Sequence, residues 1–160
     1  MELIVSIASL VVALCALGFT AWQTSVQREH NRVSVRPHLF SFKARDWHNN
    51  LAKLQVLLTN NGLGPAFINN FEIYYKGQRY EADAAISSAL GELSKNSSRT
   101  ILGNDYAMSA NETKVLLAVS FPANSEEKID EVEAKLNELD LLIEYSSAYE
   151  KMKPYDSRES

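Results

Sequence analysis

The run LIVSIASLVVALCALGFTAW, from Leu3 to Trp22, contains twenty residues and no charged side chain. A helix rises about 1.5 Å per residue, so this run spans about 30 Å, the thickness of the hydrocarbon layer of a bilayer. The sequence therefore predicts one transmembrane helix at residues 3–22, with the lipid bilayer as its surroundings.

A cleaved signal peptide is the alternative for this run. Such a peptide carries a basic segment before its apolar core, whereas only Met1 and Glu2 precede Leu3 here. A lipoprotein cleavage box would need a small residue before Cys15, and Leu14 stands there. We therefore expect a retained anchor.

The charges on either side of the run predict its orientation. Arg28, Arg32, Arg36, Lys43 and Arg45 follow the run, and no Lys or Arg precedes it. Positive charge near a membrane span favours the cytoplasmic side. The N-terminus is therefore expected outside and the rest of the chain in the cytoplasm, with binding of anionic lipid by these arginines as a further interpretation.

Small residues within the span share one helical face. They follow alternating steps of three and four residues, and they are Ser6, Ser9, Ala13, Ala16 and Thr20. Small side chains let a second helix approach closely. This face is the candidate packing surface for a homo-oligomer or for another membrane protein.

Composition excludes several classes of function. The formal net charge is −4 and no cluster of basic residues lies beyond the segment next to the span, so we predict no nucleic-acid binding. Cys15 is the only cysteine, so the soluble part has no disulfide. His30, His38 and His48 lack the close spacing of zinc ligands, and we predict no metal or other cofactor.

The remaining sequence predicts a juxtamembrane helix or linker at 23–37, a β domain at 38–155 and a frayed tail at 156–160. Pro37 ends the juxtamembrane stretch because proline cannot continue a helix. Alternating apolar residues and turn residues predict six or seven strands, at 38–45, 54–59, 66–75, 79–81, 98–102, 114–121 and 141–145, with a possible last hairpin into 149–152.

Two helices are predicted among these strands, at 83–93 and at 125–139, the second with Ser125 as its N-cap. They do not alternate regularly with strands, which favours an antiparallel β-sandwich with two peripheral helices over a doubly wound sheet. An immunoglobulin-like topology is the specific expectation.

Two short motifs resemble chemical sites, one a phosphate-binding loop and the other a hydrolase site. Asn60-Asn61-Gly62-Leu63-Gly64-Pro65 lacks the lysine of a phosphate-binding loop and predicts a structural turn, in which the glycines can take positive φ. Asp46-Trp47-His48 pairs a carboxylate with an imidazole, but no nucleophile motif accompanies it, so a solvated hairpin loop is favoured over a hydrolase site.

The runs His30 to Leu39, Leu57 to Ala66 and Tyr145 to Tyr149 together resemble a group of small, uncharacterised bacterial membrane proteins. Members of that group have one N-terminal span and a β-rich soluble domain. The resemblance implies a bacterial source and therefore the inner membrane, and it implies no activity.

The sequence predicts no enzyme and no catalytic residue. The leading hypothesis is a membrane-tethered, non-enzymatic interaction or sensing module. A small-ligand-binding domain that faces the periplasm is the second hypothesis, and a hydrolase that uses Asp46 and His48 is the third and weakest.

Overall fold

A computed structural model describes residues 1–159 of the chain. The chain forms two compact units, residues 1–35 and a second unit that begins at Arg36. Each is described separately below.

The first unit is one continuous helix, α1, over Glu2–Ser34. It is long and apolar enough to cross a membrane, and none of its side chains is buried. Its 33 residues correspond to a length of about 50 Å, so the helix extends well beyond the apolar run. The helical part of the predicted juxtamembrane stretch is thus 23–34.

The second unit is mainly β, as expected, with nine strands rather than six or seven. They are β1 (Leu39–His48), β2 (Leu51–Asn60), β3 (Ala66–Tyr75), β4 (Gln78–Tyr80), β5 (Ser97–Arg99), β6 (Ala107–Met108), β7 (Thr113–Pro122), β8 (Leu139–Ser146) and β9 (Tyr155–Asp156). Two helices interrupt them, α2 (Ala82–Leu90) and α3 (Glu126–Leu136). A short 3-10 helix, Gly91–Asn96, follows α2.

All strand pairs are antiparallel and form two sheets. The first sheet has the order β1-β2-β7-β5, and the second has the order β4-β3-β8-β9 with β6 beside β3. Irregularities in register occur at Val56/Leu57 in the first sheet and at Ile68/Asn70 in the second. Such bulges change which side chains face inward.

The buried apolar residues form two clusters. The inter-sheet core contains residues from both sheets, including Leu58, Leu116, Ile68 and Ile143. The helix-covered core lies between the first sheet and helices α2 and α3, and its members include Leu54, Ile86, Leu90, Leu117, Val119, Phe121, Ile129, Val132 and Leu136. The first sheet therefore contributes to two cores, one shared with the second sheet and one with the helices.

Helix α3 also carries an acidic face, which Arg45 of β1 partly neutralises. The Arg45 guanidinium lies 2.9 Å from Glu126 and 2.8 Å from Asp130, and Glu133 is 3.8 Å away.

The start of α3 differs from the expected cap. Ser125 does occupy the N-cap position, but its side chain makes no capping hydrogen bond.

The first hairpin differs from the prediction. Strand β1 continues through His48, so Asp46-Trp47-His48 belongs to a strand and not to a loop. The turn is Asn49-Asn50, whose φ angles are 50° and 60°. Two consecutive positive φ angles are typical of the tight turns whose twist matches paired strands, and asparagine tolerates them.

The chain enters the β domain through a buried junction. Asn60 is fully buried, and its Oδ1 accepts hydrogen bonds from the backbone N–H groups of His38, at 3.0 Å, and Gly62, at 3.1 Å. Its Nδ2 donates to the Gly64 carbonyl at 2.8 Å. A Cβ atom on Gly62 would lie 2.4 Å from the Arg36 carbonyl oxygen.

This junction corrects the interpretation of the glycine-rich turn. Neither Gly62 nor Gly64 has positive φ. Gly62 is required there because the backbone of residues 36–38 passes too close to leave space for a side chain. The turn is structural, but for a steric reason.

The C-terminal end differs from the frayed tail expected at 156–160. Strand β9 pairs with β8, and Ser157–Glu159 form a 3-10 turn. The Arg158 guanidinium contacts Asp156 at 2.6 Å and lies 4.8 Å from the centre of the Tyr74 ring. The expected hairpin through 149–152 is reduced to one isolated bridge, Ser146 with Lys151. Ser160 lies outside the described residues.

Candidate functional site

The candidate site is a cavity of about 310 Å³ inside the β domain. One wall crosses all four strands of the first sheet, and the opposite wall comes from β3, β8 and β9. Ile86 of α2 and Leu136 of α3 line it as well. The cavity therefore lies where the inter-sheet core meets the helix-covered core.

Its middle is apolar. Val56 and Leu116 come from the first sheet, and Phe71, Ile73 and Leu141 come from the second. Val56 packs against both cores, next to the register irregularity at Val56/Leu57. The volume falls at the lower end of the range for small-molecule sites.

The two ends of the cavity lie at opposite edges of the first sheet. Three strand spacings of about 4.8 Å separate β1 from β5, so these ends are about 14 Å apart. Lining residues at each edge are exposed, among them Lys43 on β1 and Thr100 after β5. An elongated small molecule fits this shape better than a compact one.

The end at β1 is polar. The Ser41 and Tyr155 hydroxyl oxygens are 2.6 Å apart, and the Ser41 backbone N–H donates to the Tyr155 hydroxyl at 3.3 Å. Ser157 accepts a hydrogen bond from the Leu141 N–H at 2.9 Å. The Lys43 ammonium donates to the Asn137 side-chain carbonyl. The Ser157 hydroxyl in turn donates to the Asp140 carboxylate at 3.4 Å, so this end combines a cation, three hydroxyl groups and a neighbouring carboxylate.

The end at β5 carries a cation that already has a counter-charge. The Arg99 Nε lies 2.5 Å from an Asp83 carboxylate oxygen of α2. Ile101 is 53% exposed and also lines a shallower depression next to Phe71 and Ile73. This end is thus partly apolar at its surface and close to electrically balanced.

The titratable side chains that line the cavity are Lys43, Arg99 and Tyr155. Among the described residues that line it there is no histidine, cysteine, aspartate or glutamate. Asp46 and His48, the weak hydrolase candidates, lie on β1 but not in the cavity wall. Over the described residues, no group of three or more potential metal ligands is found.

The carboxylate with the largest pKa shift, Glu112, has a structural role. Glu112 accepts a hydrogen bond from the Tyr106 hydroxyl at 2.7 Å and one from the Ser109 N–H at 2.7 Å, and Lys114 lies 3.0 Å away. These contacts, the Tyr106 hydroxyl foremost, lower the pKa of Glu112 from 4.5 to about 2. The carboxylate fixes the turn before β7, outside the cavity wall.

The predicted packing face lies along α1. The hydroxyl groups of Ser6, Ser9 and Thr20 each donate to the backbone carbonyl four residues earlier, at 3.0, 2.8 and 2.8 Å. Their donors are therefore satisfied within the helix. Ser9, Ala13 and Ala16 also line a shallow, mainly apolar groove on the helix surface.

Sequence reasoning missed the cavity, because its polar end combines residues 41–43 with 155–157. The second segment was assigned to the domain border and the frayed tail. A signal was present in Tyr155-Asp156-Ser157, a polar sequence with an aromatic residue that is suited to closing an edge. Its partner on β1 was not identifiable from local pattern.

Comparison with protein-family models and with curated proteins finds no match for this chain.

Proposed function

We propose that the chain is a membrane-tethered, non-enzymatic sensing module whose β domain binds a small, elongated ligand between its layers. The observation that carries the proposal is the cavity of about 310 Å³, with an apolar middle and a polar end. A well-formed apolar pocket with a few convergent polar groups is the arrangement typical of small-molecule sites.

The proposal is tested by methyl NMR on the full-length chain in nanodiscs of zwitterionic lipid. Small amphiphiles, such as octan-1-ol, are titrated while the methyl signals of Val56, Leu116 and Leu141 are followed. Saturable shifts of these signals are expected, because all three side chains line the cavity.

Two matched variants make this test specific. Val56→Phe fills the cavity and should abolish the saturable shifts. Val115→Phe changes another half-buried valine of the first sheet, one that belongs to neither core, and should leave binding unchanged. If no amphiphile shifts the cavity methyls, the binding function is wrong.

The tether is part of the same proposal. We infer that α1 spans a membrane once, with the N-terminus outside and the β domain in the cytoplasm, because the cluster of arginines follows the apolar run. In a bacterial cell this membrane is the inner membrane. A C-terminal fluorescent-protein fusion should then be bright and a C-terminal alkaline-phosphatase fusion inactive.

The reverse result from the fusions would favour the second candidate, a ligand-binding domain that faces the periplasm. The cavity supports ligand binding in either orientation, so the two candidates differ only in the compartment from which the ligand comes. The hydrolase candidate has weaker support, since Asp46 and His48 do not line the cavity.

A partner helix is a further part of the proposal. The groove that contains Ser9, Ala13 and Ala16 is the surface on which a second copy or another membrane protein would pack. Mild cross-linking in native membranes followed by mass spectrometry should capture a partner, and Ala13→Leu should weaken the capture. Val11→Leu, which changes a side chain outside the groove, is the control.

The immunoglobulin-like connectivity also stays a proposal. Two antiparallel sheets that share a core support it. An experimental structure of the β domain, compared strand by strand with immunoglobulin domains, is the test.

A further inference from the structure

We propose that the ligand of the cavity is a neutral, apolar molecule, such as a short unbranched hydrocarbon, and that the site does not select a polar head group. The inference rests on the proposed binding function and adds the chemical class of the ligand. Two observations carry it. The polar side chains of the wall already have partners within the domain, and charges of both signs surround the cavity.

The hydroxyl groups at the β1 end bind each other or neighbouring groups of the domain. The Ser41 and Tyr155 hydroxyl oxygens are 2.6 Å apart, and the Tyr155 hydroxyl also accepts the Ser41 backbone N–H at 3.3 Å. The Ser157 hydroxyl accepts the Leu141 N–H at 2.9 Å and donates to the Asp140 carboxylate at 3.4 Å. A ligand that used these groups would have to replace bonds that the domain already makes, and such an exchange gains little.

The cations among the described lining residues are engaged as well. The Lys43 ammonium donates to the Asn137 side-chain carbonyl. The Arg99 guanidinium lies 2.5 Å from the Asp83 carboxylate. Both cations are at exposed positions. An anionic head group would therefore have to compete with these partners and with water, which weakens its attraction to either cation.

Carboxylates close to the wall disfavour an anion further. Three carboxylates of α3 face the one guanidinium of Arg45, at distances between 2.8 and 3.8 Å. Arg45 follows Lys43 by two residues, so both cations lie on the same side of β1. Asp140 adds another carboxylate beside Ser157. A cationic head group has no better site, because the ionised side chains among the described lining residues are Lys43 and Arg99, both positive.

The rest of the wall suits a hydrocarbon chain. Val56, Phe71, Ile73, Leu116 and Leu141 surround the middle of the cavity. At about 30 Å³ for each non-hydrogen atom, a value taken from the volume of liquid water, 310 Å³ holds about ten such atoms. An octyl chain is of this size, and when extended it fits within the distance of about 14 Å between the two ends. A head group on such a chain would lie against the wall and not in bulk water.

The test compares oct-1-ene, octan-1-ol, octanoate and octylammonium, which have the same chain length. They are titrated near pH 7, where the last two are ionised, into the full-length chain in zwitterionic nanodiscs. The methyl signals of Val56, Leu116 and Leu141 are the readout, and empty nanodiscs give the correction for partition into lipid. Oct-1-ene should bind at least as tightly as octan-1-ol. Each ion should bind at least about tenfold more weakly than the alcohol, because its charge loses hydration that the wall does not replace.

Tyr155→Phe tests whether the site recognises a head group. The variant removes a hydroxyl from the wall and keeps the aromatic ring, so the affinities for oct-1-ene and octan-1-ol should both be unchanged. Oct-1-ene is the internal control for any effect of the variant on folding. A selective loss of octan-1-ol binding by about fivefold, the effect of one neutral hydrogen bond, would overturn the proposal.

Asp140→Asn tests the effect of the carboxylate beside Ser157. Octanoate should bind this variant about two- to fivefold more tightly than the unchanged chain, whereas octan-1-ol should bind as before. Glu144→Gln is the matched control, because it removes a carboxylate from the same strand, β8, at a position that does not line the cavity. Equal gains for octanoate in both variants would contradict the proposal, since the weak binding of octanoate would then reflect net charge and not the wall.

The outcomes separate this inference from the function on which it rests. If octanoate or octylammonium binds the cavity as tightly as octan-1-ol, the neutral class is wrong and the binding function stands. If none of the compounds shifts the cavity methyls, both are wrong. If the neutral compounds bind and both ions bind at least about tenfold more weakly, both are supported.

Discussion

The two cores of the β domain both include the first sheet, but they differ in how completely they are packed. In the helix-covered core, Phe121, Val119 and Ile129 have no exposed surface. The inter-sheet core also contains fully buried residues, such as Leu58 and Ile143, but a cavity lies where it meets the helix-covered core. The domain is therefore tightly packed around Phe121 and leaves a cavity where the two cores meet.

The difference follows from what covers the sheet. A helix places a continuous apolar face on the sheet, and α3 does so with Ile129, Val132 and Leu136. Two sheets with bulges cannot match each other along their whole length, because each bulge turns side chains away from the core. The gap appears next to the bulge at Val56/Leu57.

The largest expected effect on the free energy of unfolding comes from shortening one large side chain in each core. Phe121→Ala should lower the free energy of unfolding by about 3–5 kcal/mol, because the site is fully enclosed. Leu116→Ala removes a smaller side chain that already borders empty space, and it should cost about 2–3 kcal/mol.

Urea unfolding of the full-length chain in nanodiscs, followed by Trp47 fluorescence in a Trp22→Phe background, measures both variants. Trp47 reports on the β domain, since its indole N–H donates to the Ala123 carbonyl at 3.2 Å. A cost for Leu116→Ala equal to or above that for Phe121→Ala would contradict the difference between the two cores.

A second test concerns how the inter-sheet core is held at the junction. Asn60→Ala should lower the free energy of unfolding by about 2–3 kcal/mol, because it leaves the buried Gly62 N–H and the partly buried His38 N–H without their acceptor. The same urea experiment measures it. Asn61→Ala is the matched control at an exposed neighbouring asparagine and should change stability by less than about 0.5 kcal/mol.

The third test uses pH. The pKa of Glu112 is about 2 in the folded chain and 4.5 ordinarily, so its contribution to stability is complete above pH 4.5 and is lost as the pH falls towards 2. Glu112→Gln should therefore cost about 1 kcal/mol at pH 7 and much less near pH 2.5. Urea unfolding at about pH 7, 5, 4, 3 and 2.5 measures the difference from the unchanged chain.

Glu144→Gln is the comparison for this experiment, because Glu144 forms no salt bridge within the described part of the chain. A difference for Glu112→Gln that stays constant with pH would show that its carboxylate is not held as the structure has it.

The smallest expected effect is at the surface of the helix-covered core. Arg45→Gln removes the cation that faces three α3 carboxylates, and the partly exposed pairs should contribute less than about 1 kcal/mol. The loss should shrink further in high salt, because exposed charges are screened. Urea unfolding at low and at high NaCl concentration measures it, and a salt-independent loss would assign Arg45 a packing role instead.

The long elements could be predicted from the sequence because their signals are local. The apolar run predicted α1, alternation predicted β3 at its observed bounds and β7 to within one residue, and the acidic start with spaced apolar residues predicted α3. Short strands such as β6 and β9 have two residues each, so their existence depends on long-range pairing that no local pattern reveals.

The candidate site depends on long-range contacts even more strongly. Ser41 and Tyr155 are 114 positions apart, and their hydroxyl contact exists only because the β1 edge of one sheet faces the β9 edge of the other. Lys43 was identified from sequence only as a charge that sets orientation in the membrane. Its place at the end of a cavity required the three-dimensional arrangement.

The junction around Asn60 has a mechanical consequence. Residues 36–38 are held by the backbone contacts at Gly62, by the Asn60 side chain and by Arg36, whose guanidinium lies 2.8 Å from Glu150. A force applied to the chain from the N-terminal side must break these contacts before it reaches the first pair of the β1–β2 ladder, Leu39 with Asn60. The junction should therefore resist mechanical unfolding. It keeps the edge strand β1, which carries Lys43 at one end of the cavity, from being pulled off the sheet.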